Sequence, residues 1–344
     1  MTRARAAVER AAESAHNALM RAIQTNVPFA ERPFARLGAE LGLGEDEVLE
    51  QLRTWCESGV LREISAVLEG GALGYDSALV AGSVPASRLD AVVAVVNGHP
   101  TVTHNYLRDH AYNLWFTLAV PHEMGLDATL ELLARETGVR SFHALRRSHV
   151  FKIGVNFDPE TLRNQSALAP TAAVEPLALS ENAVRQLRAL QTPLPMLARP
   201  FESLAEDAGV SADALLAFAQ RHLGGAIRRY VGTLRHRKLG VRENGMVVWR
   251  VPEADIPRVG LQLARAPEVS HCYARNPIEG FPYTLYSMTH GPDRQSCHEL
   301  AARLACETGI GDYAVLFSER EFKKVRLRYF LPALDAWWAE HAAR

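Results

Sequence analysis

Hydrophobic residues change their spacing along the chain, from a helical period to an alternating one. In residues 16–60 they recur at the spacing of short amphipathic helices. Four apolar side chains of "EDEVLEQLRTWCESG" share one helical face: Val48, Leu49, Leu52 and Trp55. This pattern predicts a helix-turn-helix, and the "VLREISAVL" that follows predicts the start of a wing-like hairpin.

After residue 66 the pattern predicts strands and helices in the order βαββαβ. In chain order the segments are "ALVAGSV", "ASRLDAVVAVVNG", "TVTHNYLR", "AYNLWFTLAV", "LDATLELLARETG" and "SHVFKIGV". This order is typical of a split ferredoxin-like sandwich, in which two helices cover one face of an antiparallel sheet.

The whole pattern occurs twice. "RPFARLGAELGLGEDEVL" from Arg32 aligns with "RPFESLAEDAGVSADALL" from Arg199, at an offset of 167 residues. The later segments follow in the same order: "GMVVWRV", "EADIPRVGLQLARA", "EVSHCYAR", "PYTLYSMTHG", "RQSCHELAARLACETG" and "EREFKKVRLRYF". The fold class predicted is therefore α+β, with two tandem copies of a winged helix-turn-helix domain plus a ferredoxin-like domain.

These patterns predict the domain boundaries. The predicted ranges are 1–66 for the first helix-turn-helix domain, 67–160 for the first ferredoxin-like domain, 161–180 for a Pro/Ala-rich linker, 181–234 for the second helix-turn-helix domain, and 235–344 for the second ferredoxin-like domain with a C-terminal helix. We expect the two copies to pair through their sheets as an internal pseudo-dimer, and a homodimer of the whole chain is left open.

Charge and composition exclude several classes of partner. The 344 residues contain 38 Lys+Arg and 39 Asp+Glu, so no global field attracts nucleic acid or an anionic membrane. The four cysteines form no CxxC pair and no zinc-like spacing, which predicts reduced thiols and no metal site. The longest apolar run, "AVVAVV", is too short to span a bilayer. We therefore expect a soluble cytoplasmic protein.

One polar phrase recurs in both ferredoxin-like domains, as "VTHNYLR" and "VSHCYAR". Side chains two residues apart on a strand lie on the same face, about 7 Å apart. Each predicted strand therefore presents a row of an imidazole, a phenol and a guanidinium: His104, Tyr106 and Arg108 in copy one, and His271, Tyr273 and Arg275 in copy two. We call each row a triplet.

Aromatic residues follow each triplet and are candidates for the apolar wall of a pocket: Tyr112, Trp115 and Phe116 in copy one, and Phe281, Tyr283 and Tyr286 in copy two. Flat apolar walls beside cations suit a large planar ligand that carries acidic groups. The repetition favours such a pocket over a solvated sheet face.

Further basic residues make the two copies unequal. Copy two has "LRHRKLG", with Arg235, His236, Arg237 and Lys238, where copy one has "LEGGALG". A surface loop is the alternative interpretation of such a charge run. In the last predicted strand, "EFKKVRLRYF", alternation places Lys324, Arg326 and Arg328 on one face.

A helix-turn-helix joined to a ferredoxin-like domain is the plan of the Lrp/AsnC transcription regulators, so DNA binding is one candidate function. A recognition helix needs Lys and Arg to reach phosphates. The first candidate helix begins instead with Glu45, Asp46 and Glu47, and the second reaches its first cation only at Arg221. The sequence therefore predicts that the chain does not bind nucleic acid.

The motifs "VTHNYLRDHAYNLWFT", "IRRYVGTLRHRKLG", "MVVW" and "VSHCYAR" resemble those of the siroheme decarboxylases, an Lrp/AsnC-derived family. The resemblance extends from about His16 to Phe330. The tandem arrangement of the chain is similar to a fusion of a NirD-like subunit with a NirL-like subunit. It implies a carboxy-lyase that removes two acetate carboxyl groups from siroheme, giving 12,18-didecarboxysiroheme in heme d1 biosynthesis. No cofactor is required, because the iron enters with the substrate. A non-catalytic tetrapyrrole carrier is the alternative.

Roles for the single residues follow from this implied chemistry. We expect His271 and His104 to donate protons, because histidine titrates near neutral pH. The tyrosines Tyr273, Tyr106 and Tyr112 would orient the substrate or line its pocket. The cations expected to hold carboxylates are Arg275, Arg108, Arg235, Arg237 and Lys238, with His236 in either role. A competing assignment makes one histidine an axial ligand of the substrate iron.

Overall fold

The computed structural model describes residues 3–154, 168–169, 174–235 and 243–342. These residues form two compact units: 3–73 with 174–235, and 74–154 with 168–169 and 243–342. Both units contain parts of both copies of the repeat. The helix-turn-helix segments lie in the first unit, and the ferredoxin-like segments lie in the second.

The described elements confirm the predicted fold class. In copy one they are α1 (Arg3–Thr25), α2 (Pro33–Leu41), α3 (Glu45–Glu57), β1 (Leu61–Leu68), β2 (Tyr75–Gly82), α4 (Leu89–Gly98), β3 (His104–Arg108), β4 (Leu114–Pro121), α5 (Leu126–Thr137) and β5 (Phe142–Ile153). In copy two they are α6 (Glu181–Leu190), α7 (Pro200–Ala208), α8 (Ala212–His222), β6 (Ile227–Leu234), β7 (Glu243–Trp249), α9 (Ile256–Arg265), β8 (Val269–Arg275), β9 (Leu285–Gly291), α10 (Arg294–Thr308), β10 (Tyr313–Lys324) and α11 (Pro332–Ala342).

The first unit repeats one helix signal in both copies. Helices α2 and α7 each begin with a proline in the first turn, where no N–H donor is needed. Each ends at a left-handed glycine, Gly42 (φ 71°) and Gly209 (φ 66°), a conformation that side chains other than glycine resist. The repeated "RPF" and glycine positions therefore set the same helix length twice.

The strand after each helix-turn-helix corrects one expectation. Strand β1 pairs with β6 of the other copy, in an antiparallel ladder that runs from Leu61↔Leu234 to Leu68↔Ile227. The predicted wing hairpin within copy one is wrong, because the chain after Leu68 turns through a 3₁₀ helix (Gly70–Leu73) into β2, which pairs elsewhere. Each copy therefore supplies one strand to a shared two-stranded sheet.

The second unit contains a closed barrel of eight described strands, in the order β10-β3-β4-β2-β5-β8-β9-β7. The pairings are antiparallel, and two of them, β5–β8 and β10–β3, join the copies. We call these two pairings the seams. Outside the barrel, α9 and α10 pack on copy two through a buried cluster that includes Trp249, Leu263, Cys272, Ala274 and Leu304. Alternate residues of the same strands therefore face the interior.

The last strand of each copy differs from its prediction. Strand β5 begins at Phe142, before the predicted "SHVFKIGV", and β10 ends at Lys324. Arg326 and Arg328 lie beyond β10, so the predicted shared face with Lys324 is wrong. Both seams contain register shifts, two in β5–β8 and two in β10–β3. Such bulges interrupt the period of two from which strands are predicted.

Each last strand also carries a lysine that reaches a helix end of the other copy. Lys152 Nζ donates to the Ala266 carbonyl after α9 (3.1 Å), and Lys323 Nζ donates to the Asn97 carbonyl in the last turn of α4 (2.7 Å). A cation is favourable at the negative end of a helix. The two contacts therefore strengthen both seams in the same way.

No helix in the described ranges is both long enough and apolar enough to cross a lipid bilayer.

Candidate functional site

Both triplets lie on the inner face of the barrel. Tyr106 is opposite Trp115 in the β3–β4 register, and Tyr273 is opposite Tyr286 in the β8–β9 register. Trp115 and Tyr286 belong to a buried cluster that strands of both copies build between them. Cys272 lies between His271 and Tyr273 and packs instead in the cluster under α9 and α10.

The inner cluster contains most of the aromatic residues predicted to form a wall. Trp115, Phe281 and Tyr286 are buried in it, and Tyr112 and Tyr283 pack against it. Phe116 is the exception, because the strand pleat turns it to the other face, where it contacts Phe142 (5.3 Å between ring centroids). The Tyr112 hydroxyl donates to the Glu279 carbonyl (2.8 Å), which joins loops of the two copies.

In the copy-two triplet the three side chains lie next to one another in a row. The ring centroids of His271 and Tyr273 are 5.9 Å apart, and the Arg275 guanidinium carbon lies 5.1 Å from the Tyr273 centroid. Arg275 Nη1 crosses the β5–β8 seam and donates to the Leu145 carbonyl (2.7 Å). Burial lowers the pKa of Arg275 to about 10, so the guanidinium stays charged at neutral pH.

The copy-one triplet repeats this geometry at the other seam. His104 and Tyr106 have ring centroids 6.2 Å apart, and the Arg108 guanidinium carbon lies 5.6 Å from the Tyr106 centroid. Arg108 Nη1 donates to the Leu316 carbonyl (2.7 Å), and burial lowers the pKa of Arg108 to about 10. The two triplets are therefore equivalent around the pseudo-twofold relation of the copies.

Both arginines have one donor left over. The buried Nε atoms of Arg108 and Arg275 make no hydrogen bond to any described residue. An unsatisfied donor on a buried charged group is costly, about 1–3 kcal/mol or more, and a carboxylate would remove that cost.

Arg147 of β5 was missed from the sequence. It lies opposite Arg275 across the β5–β8 seam, with its guanidinium carbon 5.9 Å from the Tyr273 ring centroid, and its Nη2 donates to Ser77 Oγ (3.0 Å). In the other seam Ser318 occupies this position opposite Arg108. The basic pair in "LRRSHV" was a signal in the sequence, but it lay just before the start of the predicted strand "SHVFKIGV".

The hydrogen bonds of the triplet histidines also differ between the copies. Ser270 Oγ contacts both His271 Nδ1 (2.9 Å) and His290 Nε2 (2.6 Å), and His290 Nδ1 contacts Asn244 Oδ1 (2.6 Å). We call these four residues the histidine chain. The hydroxyl residue before each histidine, in "TH" and "SH", was a signal for it, whereas His290 is distant in sequence.

In copy one the hydrogen-bond chain from the same ring nitrogen contains no second histidine. His104 Nδ1 contacts Thr103 Oγ1 (3.0 Å), which contacts Thr117 Oγ1 (2.8 Å). Hydroxyl groups bridge protons but do not titrate near neutral pH. The first partner of each triplet histidine is therefore a hydroxyl group, and the group beyond it is another hydroxyl in copy one and an imidazole in copy two.

The remaining predicted cations lie elsewhere or outside the description. Arg235 follows β6 in the first unit, and its backbone N–H donates to the Val60 carbonyl (2.9 Å). His236, Arg237 and Lys238 lie outside the described residues.

Two family models match this chain. An AsnC-like ligand binding domain matches residues 72–152 and 238–323, which covers most of the ferredoxin-like part of each copy. A siroheme decarboxylase NirDL-like HTH domain matches residues 16–62, the first helix-turn-helix.

Known proteins resemble the chain over nearly its whole length. A siroheme decarboxylase of Hydrogenobacter thermophilus is 37% identical over 327 residues, which are 94% of this chain and 97% of that protein. The crystal structure of the siroheme decarboxylase NirDL superposes with a TM-score of 0.77 at 34% identity, covering 96% of this chain and 98% of the other. A structure of NirDL in co-complex with an iron-uroporphyrin III analogue gives a TM-score of 0.75 at 34% identity, covering 96% and 99%.

Proposed function

Because the chain belongs to the siroheme decarboxylase family, we propose that it removes two acetate carboxyl groups from siroheme as carbon dioxide. The product would be 12,18-didecarboxysiroheme, formed by a carboxy-lyase of heme d1 biosynthesis. The observation that carries this proposal is the pair of equivalent triplets, each with a half-buried histidine and an arginine that keeps its charge inside the barrel.

In decarboxylation the protein has to position the substrate and supply a proton to the acetate carbon. The bond between the acetate methylene and its carboxylate breaks, and the electron pair is held by the macrocycle until the carbon is protonated to a methyl group. In this proposal His271 supplies that proton in copy two, and His104 does so in copy one. Tyr273 and Tyr106 orient the substrate beside them.

Substrate carboxylates need cations that remain charged. Arg275 and Arg108 meet this requirement, and their Nε donors would gain a partner. Arg147 is a further cation, and it lies with Arg275 at the copy-two triplet. Arg235, Arg237 and Lys238 stay proposed carboxylate ligands, with His236 in either role, and the iron enters as part of the substrate.

Anaerobic incubation of the purified chain with siroheme, followed by mass spectrometry of the tetrapyrrole, tests the activity. Loss of two carboxyl groups is the expected result. A bound tetrapyrrole of unchanged mass would contradict the proposal and favour a carrier. Salt-dependent binding of duplex DNA without turnover would favour a regulator instead.

A matched pair of histidine variants tests the assignment of roles. His271→Ala should stop or strongly slow turnover while the circular dichroism spectrum stays unchanged. His298→Ala is the control, because His298 is exposed on α10 and contacts the Phe317 ring (5.2 Å). Equal rates in the two variants would overturn the assignment of His271.

A further inference from the structure

His290 lies on the inner face of the barrel, two residues beyond Met288, which packs against the inner cluster. Its cross-strand partner in the β7–β9 register is Asn244, and the two side chains are hydrogen-bonded (2.6 Å). On its other side the ring contacts Ser270 Oγ (2.6 Å), which contacts His271 (2.9 Å). We propose that His290 is a positioning residue that supplies protons to His271 through Ser270, an inference that rests on the proposed decarboxylation.

The hydrogen bonds restrict the protonation states of the chain. Asn244 Oδ1 only accepts, so His290 Nδ1 carries a hydrogen. In neutral His290, Nε2 then accepts from the Ser270 hydroxyl, whose oxygen accepts from His271 Nδ1–H. His271 therefore holds its hydrogen on the side of Ser270, and its Nε2 has none.

Protonation of His290 reverses the direction of both bonds. Its Nε2 now donates to Ser270 Oγ, and the Ser270 hydroxyl donates to His271 Nδ1. His271 must then carry its hydrogen on Nε2, on the far side of the ring from Ser270. In reaching this form His271 Nε2 takes a proton from water, while the Nδ1 hydrogen passes to Ser270 Oγ and the Ser270 hydrogen passes to His290 Nε2. One proton is gained in total, His290 carries the charge and His271 stays neutral.

This transfer balances the reaction. Each cycle breaks one carbon–carbon bond, releases one carbon dioxide and leaves an electron pair that needs one proton. His271 Nε2 gives that proton to the carbon, which leaves His271 with its hydrogen on Nδ1 once Ser270 and His290 have shifted back. A further proton from water then enters at His271 Nε2 and recharges His290 through Ser270 in the same way, so the net reaction consumes one proton for each carboxylate lost.

A local irregularity of the strand brings Ser270 into line. The β8–β9 register shifts between Val269 and His271, so Ser270 is the extra residue of a bulge. Bulges re-aim side chains next to functional sites. Ser270 is fully buried, which keeps water from competing for its hydroxyl.

Copy one lacks the titratable part of this arrangement. The pair equivalent to Asn244 and His290 in the β2–β4 register is Ser77 and Ala119. The relay is therefore a property of copy two, although both copies keep the hydroxyl residue beside the triplet histidine.

Charged groups near His290 come from three neighbouring segments. Glu243 begins β7, and Glu268 precedes β8, with its backbone carbonyl accepting from the His290 N–H (3.3 Å). The Glu268 carboxylate is paired with Arg303 of α10 (3.2 Å).

Single-turnover decarboxylation of prebound siroheme, measured anaerobically from pH 5.5 to 8.5, tests the relay. The variants are His290→Gln, which retains hydrogen-bonding groups without a titrating ring, and His290→Ala, the residue that copy one has. We expect the rate to fall at least about tenfold in both, with siroheme affinity within about twofold of the original. Imidazole added at millimolar concentration should restore His290→Ala, and His298→Ala is the matched control.

The outcomes separate the relay from the function itself. If the original chain does not decarboxylate siroheme, the proposed function fails. If the original chain is active and His290→Gln keeps its rate and its pH profile, the relay is refuted and the function stands. Ser270→Ala breaks the same chain at a second point, and an unchanged rate in that variant would also refute the relay.

Discussion

The two copies share the triplet and its contact across the seam, and they differ in the other residues that surround it. Each has the sequence His-x-Tyr-x-Arg, the same spacing of rings, and an arginine that donates to a seam carbonyl at 2.7 Å. The copy-two triplet has Arg147 across its seam and the histidine chain beside it, where the copy-one triplet has Ser318 across its seam and Thr117 and Ala119 beside it. The triplet is therefore the same in both copies, and the neighbouring positions have diverged.

Replacing each triplet histidine by alanine is the most direct test of the difference between the two copies. His271→Ala should lower the decarboxylation rate about 100-fold or more, because a positioned proton donor contributes about that much. His104→Ala should have a smaller effect, since its connection contains only hydroxyl groups. Mass spectrometry of siroheme over time measures both rates. Equal losses would mean that the copies work equivalently.

The arginines test the part that the copies share. Arg275→Met and Arg108→Met should each lower the free energy of unfolding by about 1–3 kcal/mol, because the charged hydrogen bond across the seam is lost. The lost burial cost of the charge offsets part of this loss. Urea unfolding followed by tryptophan fluorescence measures the change. A stabilised variant would show that the arginines are kept for the ligand alone.

Arg147 tests the part that differs. Arg147→Ala should raise the KM for siroheme about tenfold, because one charge-assisted contact to a carboxylate is removed. Ser318→Ala, at the equivalent position of the other seam, should leave KM unchanged within about twofold. Steady-state kinetics under anaerobic conditions measure both constants. An unchanged KM in Arg147→Ala would remove this cation from the site.

The smallest effect is expected at His99, whose counterpart in copy two is Ala266. Burial, with a smaller contribution from Lys323 and His341, lowers the pKa of His99 to about 3 from 6.5. The unfolded chain therefore binds this proton first, so its contribution to stability is complete above pH 6.5 and is lost as the pH falls towards 3. Between pH 6.5 and 5.5 the loss should be about 1 kcal/mol.

Thermal unfolding at several pH values checks the contribution of His99. His99→Gln removes the titrating group, so its unfolding temperature should depend less on pH over that range. An identical slope in the variant and in the original chain would contradict the assignment.

The repeat, the fold class and the two triplets could be predicted because they depend on local patterns. A strand that alternates along its own length reveals which side chains share a face, and His271, Tyr273 and Arg275 do so without help from distant residues. A helix-turn-helix is equally local, since proline begins α2 and α7 and glycine ends them.

The seams could not be predicted because they depend on pairing between distant segments. Strand β1 is alternating, but nothing within it shows that its partner is β6 of the other copy. Bulges in β5 and β10 remove the alternating pattern where the copies meet. Arg147 and His290 were missed for the same reason, because each meets its triplet across a strand pairing.

The seams have a consequence for how the chain assembles. A free single module could associate with another of its own kind, since both copies offer the same kind of strand edge and the same arginine contact. Covalent fusion raises the local concentration of the unlike copy to about the millimolar range and fixes a one-to-one stoichiometry. A residue that differs between the copies, such as Ala119 in one and His290 in the other, is then present once per barrel. A pseudo-symmetric scaffold can therefore hold an asymmetric site, and barrels of two like copies do not compete with it.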